Sequence, residues 1–326
     1  MKTLRWGLLS TARINRALFP PLQMSPRNTM AAVASRDLPR AQAYAEENNI
    51  PRAFGSYEEM LADPDVDVIY NPLPNSMHSE WTIKAAQAGK HVLCEKPLAN
   101  TVEEVDAIAD AAKKAGVVVM EAFMYRHHPQ TLRVKDLIEN GAVGKLQIVR
   151  GSFMFKIGRE DDVRLNASLG GGSIWDVGCY PISYTRLIVG EEPVEVYGYG
   201  MFGSVSRVDE VFAGQMRFAN GVFAHFDCGF RSPVRVRLEM IGDKGNLTVL
   251  SPYTPRLNEK IILFNGEKEE VFTTPGEDLY LGEVENMADA ILNGAPIRMS
   301  LPDSRNNVLL IQKFLESARS GKPVAM

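Results

Sequence analysis

The chain has 326 residues, 36 basic and 40 acidic side chains, a formal net charge of −4 and 45% hydrophobic residues. That length suggests two domains with cores large enough to need no staples, and the charge provides no positive field for nucleic acid or anionic lipid. No apolar run approaches the ~20 residues that span a bilayer, the first residues lack the pattern of a signal peptide, and three scattered cysteines (Cys94, Cys179, Cys228) form neither a disulfide framework nor a zinc motif, so a cytoplasmic protein without a metal is expected.

Residues 4–9 read as a first strand and 29–35 as a second, after which Asp37 opens a helix rich in Ala and Glu. Residues 66–71 predict a third strand, 79–88 a helix stopped by Gly89, and 91–94 another strand. Thr101, with Glu104 three residues on, spells a capping box for a helix ending at Gly116, and 117–120 form a further strand. Short apolar runs alternating with helices are the pattern of a parallel α/β sheet. The character changes near Tyr125. Residues 130–139 read as a helix, 146–155 as a strand and 175–189 as one more helix. From residue 194 to about 272 the chain is mostly alternating strands, with turns at Asn220-Gly221, Asp243-Lys244-Gly245 and Asn265-Gly266. Helices near 283–292 and 303–320 close the sequence. The expected fold is α/β: a dinucleotide-binding domain with a parallel sheet over residues 1–124, then an α+β domain with a large, mostly antiparallel open sheet over 125–326. Helices on one side of that sheet leave the other face to bury, which predicts a homodimer or higher homo-oligomer. Arg235 and Arg237 alternate on one strand and share that strand's face, solvated or in a subunit contact.

The first strand leads into Ser10-Thr11-Ala12-Arg13-Ile14, where a dinucleotide fold usually has glycines so that backbone N–H groups can approach a pyrophosphate. Only Gly7 is a glycine here. Ser10 and Ala12 are still small, the Ser10 and Thr11 hydroxyls can donate to phosphate, and Arg13 is adjacent. After the second strand stand Ser35-Arg36-Asp37, with Arg40 one helical turn on. Cations here accommodate the 2′-phosphate of NADP, whereas an acid binds the ribose of NAD. Ser35 and Arg36, with Arg40 as a lesser candidate, favour NADP. NAD stays open because Asp37 can face a ribose or simply cap its helix.

Three further segments end predicted strands, where open α/β sheets bind ligands. They are 70–78 (Tyr70-Asn71-Pro72-Leu73-Pro74-Asn75-Ser76-Met77-His78), 94–97 (Cys94-Glu95-Lys96-Pro97) and 121–126 (Glu121-Ala122-Phe123-Met124-Tyr125-Arg126). A fourth, after the triple glycine 170–172, reads Asp176-Val177-Gly178-Cys179-Tyr180-Pro181. With Glu95-Lys96-Pro97 and Asp176-x-Gly178-x-Tyr180 in this order, the sequence resembles the glucose–fructose oxidoreductase / inositol 2-dehydrogenase / MocA family over nearly its whole length. Within it, the tyrosine form of the second motif resembles the dihydrodiol dehydrogenase and D-xylose dehydrogenase branch.

The resemblance implies a Rossmann-type first domain, an active site between the domains, and Lys96 and Tyr180 as the catalytic pair, with Asp176 beside them. The chemistry agrees. Oxidising a secondary alcohol requires removal of its hydroxyl proton as hydride leaves, and tyrosine, with an ordinary pKa of about 10, is a poor base until a neighbouring ammonium favours the tyrosinate. Candidate cofactor contacts are Ser10, Thr11, Ala12, Arg13, Ile14, Ser35, Arg36, Arg40, Pro72, Leu73, Asn75, His78, Glu95, Lys96 and Pro97. Candidate substrate contacts are Lys96, Tyr125, Arg126, Arg164, Asp176 and Tyr180, for a sugar, sugar derivative or cyclic diol. Tyr180 as a packed core tyrosine and Asp176 as a helix cap are the plainer alternatives. His127-His128 lacks the spacing of helical metal ligands. Two other activities fit the resemblance: a glycosidase or lyase that uses tightly held cofactor without net redox change, and a nucleotide-binding sensor, which the intact Lys96, Asp176 and Tyr180 argue against.

Overall fold

All of Leu4–Leu9 but Arg5 is buried, as befits a central strand covered on both faces. In a computed structural model, which describes residues 3–326, this strand is β1. Met1 and Lys2, where the first expected domain begins, lie outside the described residues. The chain divides into two units: Met1–His127 with Tyr280–Arg305, and His128–Leu279 with Asn306–Met326.

The first unit continues with α1 (Phe19–Met24), β2 (Asn28–Ala34), α2 (Leu38–Glu47), β3 (Arg52–Phe54), α3 (Tyr57–Ala62), β4 (Val68–Asn71), α4 (Asn75–Gln87), β5 (His91–Glu95), α5 (Val102–Ala115) and β6 (Val119–Ala122). Its sheet runs β3-β2-β1-β4-β5-β6, every pair parallel. The helix starts follow side-chain chemistry. Asp37 caps α2 through the Arg40 N–H, Ser56 caps α3 through Glu59, and Thr101 with Glu104 closes the capping box of α5. Gly116 ends α5 at φ 67°, a conformation glycine adopts at no cost. The short α1, β3 and α3 are absent from the sequence reading, and α4 starts four residues before the expected 79 because Pro74 leads straight into it.

The second unit opens with α6 (Pro129–Glu139) and β7 (Leu146–Lys156). The expected helix over 175–189 divides in two: a π turn, Ile174–Gly178, then α7 (Cys179–Val189). Strands β8 (Pro193–Phe202), β9 (Asp209–Phe218), β10 (Phe223–Gly229), β11 (Arg231–Gly242), β12 (Asn246–Val249), β13 (Lys260–Phe264) and β14 (Glu269–Thr273) follow. Then α8 (Leu281–Asn293) returns to the first unit, α9 (Leu301–Ser320) begins there and continues in the second, and β15 (Val324–Ala325) completes the sheet. That sheet has nine strands in the order β14-β13-β12-β11-β7-β10-β9-β8-β15, antiparallel except where β7 pairs with β10.

One face of this sheet is apolar: Phe212, Met216, Ala224, Phe226, Cys228, Leu238 and Met240 are buried. The other is not the apolar face expected. Gln215, Arg217, His225, Arg150, Arg235 and Arg237 are exposed there beside Tyr199, Met201 and Phe223. On the apolar side α7 lies over β7 and β10. Gly151 in β7 makes room for it, since an added Cβ would stand 2.6 Å from the Cβ of Pro181 and 2.9 Å from the Tyr253 hydroxyl. Gly151→Ala should therefore lower the unfolding free energy by about 1–3 kcal/mol through overpacking, read as a lower urea midpoint with an unchanged slope.

Candidate functional site

Each unit holds its own half of the expected residues. In the first, the turn after β1 is fixed by backbone: Ser10 N–H donates to Ala34 O, and the Asn15 side chain donates to Ser10 O at 2.8 Å. Ser10 has φ 80°, so this turn takes a glycine-like conformation without a glycine. Thr11 Oγ1 accepts from Arg40 Nε at 2.9 Å, joining the turn after β1 to the first turn of α2. Arg36 is exposed, and both Arg36 and Arg40 lie close enough to Tyr57 to oppose the upward push that burial gives its phenol. Asp37 spends Oδ1 on the Arg40 N–H, the cap role weighed for it. The result is a cluster of two guanidinium groups and two hydroxyls, Ser35 and Thr11, a donor set that fits a phosphate. Arg13 and Ile14 are exposed at the start of a 3-10 turn, Arg13–Ala17.

The Lys96 turn is held from two sides. The peptide between Lys96 and Pro97 is cis. The next amide, Leu98 N–H, donates to Glu121 Oε1 of β6 at 2.9 Å, and Glu121 is fully buried. On the other side, His78 Nδ1 lies 2.7 Å from Pro97 O, while Nε2 lies 2.6 Å from Leu73 O. His78 thus lies between the loop after β4 and the lysine turn with a backbone carbonyl at each ring nitrogen, and as a neutral imidazole it donates to one of the two. Burial drives its pKa down to about 4, opposed in part by the two carbonyls and reinforced by Lys96. Glu95 Oε1 accepts from the Tyr70 hydroxyl at 2.5 Å, and burial with Glu95 holds that phenol well above its ordinary range. Pro72 and Asn75 are half-buried and Leu73 is buried beside them.

Tyr125 and Arg126 belong to a 3-10 turn, Met124–His127, inside the first unit. Tyr125 is fully buried edge-on to Phe123, and Arg126 pairs with Asp303 at 2.7 Å. These contacts give both residues structural work. His127 is 3% exposed, and neither ring nitrogen has a hydrogen-bond partner. Burial lowers its pKa to about 3, with Arg298 and Arg126 adding repulsion.

In the second unit, Asp176 sits in the π turn and Tyr180 one residue inside α7. Helical π turns recur at functional sites because they re-aim side chains within a helix. Arg164, in a 3-10 turn over Val163–Leu165, donates from Nε to Asp176 Oδ2 at 2.9 Å and packs over Phe155. Its charge is shared with Asp162, and Asp176 is the largest cause of its raised pKa. Tyr180 is 5% exposed, edge-on to Phe153 at 5.3 Å and tilted against Tyr253 at 5.7 Å. Arg164 and Asp176 are thus brought together, and Tyr180 follows four residues later in the same unit. Among the described residues no group of three His, Cys, Asp or Glu could hold a metal, and no helix is long and apolar enough to cross a membrane.

The fold is that of an NAD(P)-dependent oxidoreductase built on a Rossmann-type sheet. Residues 4–123 match the model of the oxidoreductase family with an NAD-binding Rossmann fold, and residues 131–248 match the GFO/IDH/MocA C-terminal domain. The chain belongs to the GFO/IDH/MocA family of oxidoreductases. It is 36% identical over 325 residues to D-xylose 1-dehydrogenase (NADP(+)) 2 of Haloferax volcanii, covering 98% of this chain and 99% of the relative. It is 31% identical to trans-1,2-dihydrobenzene-1,2-diol dehydrogenase of Xenopus laevis, covering 96% and 97%. Among solved structures, KijD10, a 3-ketoreductase from Actinomadura kijaniata in complex with NADP and TDP-benzene, superposes with a TM-score of 0.92 at 29% identity, covering 97% and 98%.

Three residues central to this geometry carry no role in the sequence reading. Glu121 announces itself only as a lone acid in an apolar strand. Ser173 and Asp209, which bond each other at 2.7 Å, are 36 positions apart and have no shared motif. The His127 geometry also fixes a pH dependence. Its folded pKa lies below the unfolded 6.5, so the unfolded state takes up the proton first and stability falls as pH drops below about 6.5. The lost share is about 2 kcal/mol by about pH 5. Because His78 shifts the same way and Asp209 the opposite way, the His127 share is read as the difference between wild type and His127→Gln in the stability lost from about pH 7.5 to pH 5, expected at about 2 kcal/mol.

Proposed function

We propose that this enzyme moves hydride between NADP(H) and a secondary alcohol or carbonyl of a sugar, sugar derivative or cyclic diol, with Tyr180 as acid/base and Lys96 as its electrostatic partner. The observation that carries the cofactor half is the Arg40–Thr11 bond beside Arg36 and Ser35, which gathers the charge a 2′-phosphate needs. The named activities of the xylose and dihydrodiol dehydrogenases support the substrate class.

Nicotinamide supplies the hydride acceptor or donor when bound. Its pyrophosphate is assigned to the turn Ser10-Thr11-Ala12-Arg13-Ile14, and its other contacts to Pro72, Leu73, Asn75, Glu95, Lys96 and Pro97. Everything else is the work of side chains. The Tyr180 phenolate takes the proton of the substrate alcohol during oxidation and becomes the hydroxyl, which gives that proton to the carbonyl oxygen during reduction. The Lys96 ammonium favours the tyrosinate. The Arg164–Asp176 pair offers one donor group and one acceptor group to neighbouring substrate hydroxyls. The exposed face of the nine-stranded sheet, with arginines beside Asp227, Glu239 and Phe223, is the surface through which copies would pair.

Lys96→Met and Tyr180→Phe should each lower kcat by about 100-fold or more while NADPH fluorescence titration shows nearly unchanged binding. Near-normal turnover in either variant would refute these roles. Arg36→Ala should raise the KM for NADP by about tenfold or more and leave that for NAD nearly unaltered. A wild-type enzyme that clearly prefers NAD would overturn the cofactor assignment. Assays on a panel of aldoses, ketosugars and cyclic diols, followed by nicotinamide absorbance, identify the substrate, and a monomer in light scattering would remove the pairing of copies.

A further inference from the structure

Asp209, the first residue of β9, is 2% exposed and its carboxylate lies against the start of the segment that carries Asp176 and Tyr180. Oδ2 accepts twice, from Ser173 Oγ at 2.7 Å and from Ile174 N–H at 2.7 Å. Oδ1 fills the space above Gly172, where a Cβ would stand 2.4 Å away. Gly172 itself has φ 127°, so it is glycine on two counts. Two residues later the π turn brings Asp176, whose N–H donates to Gly172 O at 3.0 Å, and α7 then brings Tyr180. One carboxylate therefore bonds two consecutive residues and lies against the glycine before them at the head of a continuous helical segment, where amide donors lack partners inside the helix.

Burying a charge is costly unless it is well hydrogen-bonded. Burial pushes the Asp209 pKa up to about 6, against the hydrogen bonds from Ser173 and Ile174 that favour the charged form. Glycine or serine would cap a helix start at far smaller cost. A shape-defining anion in this place makes sense where the direction of the following helix matters more than its stability.

We propose that Asp209 is a positioning residue: by gripping Ser173 and Ile174, just after Gly172, it sets the direction in which the π turn presents Asp176 and Tyr180. The inference rests on the assignment of Tyr180 as the acid/base. Asp209 acts only through this segment, so its loss lowers kcat and leaves cofactor binding alone.

The test is a double-mutant cycle on the full-length enzyme with Asp209→Ala, Tyr180→Phe and both together, with active sites counted by NADPH titration. Asp209→Ala should lower kcat by about 10- to 100-fold, as misplacement of a reacting group does, with the NADPH Kd within about twofold of wild type. Asp209→Asn keeps an acceptor oxygen and should recover most of that loss. In the Tyr180→Phe background, Asp209→Ala should cost almost nothing further, because the group it positions is gone. If Tyr180→Phe alone is active, the acid/base assignment fails. If Tyr180→Phe is inactive while folded Asp209→Ala turns over like wild type, or if the two losses multiply, the positioning role fails. Should Asp209→Ala not fold, Ser173→Ala removes one of the two donors without a large cavity. An unchanged kcat per active site in that variant overturns the proposal equally.

Discussion

Six parallel strands in one sheet all finish at the same edge, and that directional constraint organises the first unit. Because no pair is reversed, the ends of β1, β2, β4, β5 and β6 deliver Ser10, Ser35, Asn71, Glu95 and Ala122 to a common side. The residues just beyond these ends are the turn with Arg13, the Arg36 and Arg40 cations, the loop beside His78, and Lys96. Parallel pairing demands crossover helices, and these bury both faces of the strands, which is why their interiors read as continuous apolar runs. Polar side chains are then tolerated at strand ends, or inside only with a strict partner, as Glu121 has in the Leu98 amide.

The second unit obeys a different rule. Its long sheet needs cover on one face only, and α7 with the π turn lies on it. Close approach is achieved by removing side-chain volume, at Gly151 under Pro181 and at Gly178 against Cys228, where a Cβ would stand 2.9 Å from the sulfur. Tyr180 then packs among Phe153 and Tyr253, so its ring is fixed by aromatic walls while its motif partner Asp176 is fixed by Arg164. Ring orientation and carboxylate orientation thus have separate supports.

Much of this was legible in the residues. The α5 capping box, the cap at Asp37, the strand ends and the two motifs follow from local rules that tertiary packing leaves untouched. What escaped did so for physical reasons. Three-residue β3 and six-residue α1 and α3 are too short for periodicity to register. The π turn escaped because one inserted residue leaves the apolar pattern of a helix almost unchanged. The pairing of Arg126 with Asp303, 177 positions away, leaves no local signal in the sequence. The carbonyls beside the His78 ring escaped for the same reason: they belong to backbone, which carries no residue signature. The exposed face of the second sheet was expected to be apolar, yet alternating arginines and acids there show that an uncovered face need not be greasy.

The first unit is not continuous in the chain. Its strands are complete by Ala122, yet residues 280–305 return to it. Arg27 pairs with Glu285 and Asp289, Arg126 with Asp303, and Arg305 with Asp106. During synthesis the parallel sheet emerges first and must wait for every strand of the second sheet but β15 to be made before these partners exist. Its closing contacts are therefore among the most distant in sequence, and long-range closure is the slow part of reaching a fold. A ribosome that stops after β14 has made the nucleotide-binding sheet but not Glu285, Asp289 or Asp303, so the order in which the chain is made decides when that half of the enzyme becomes whole.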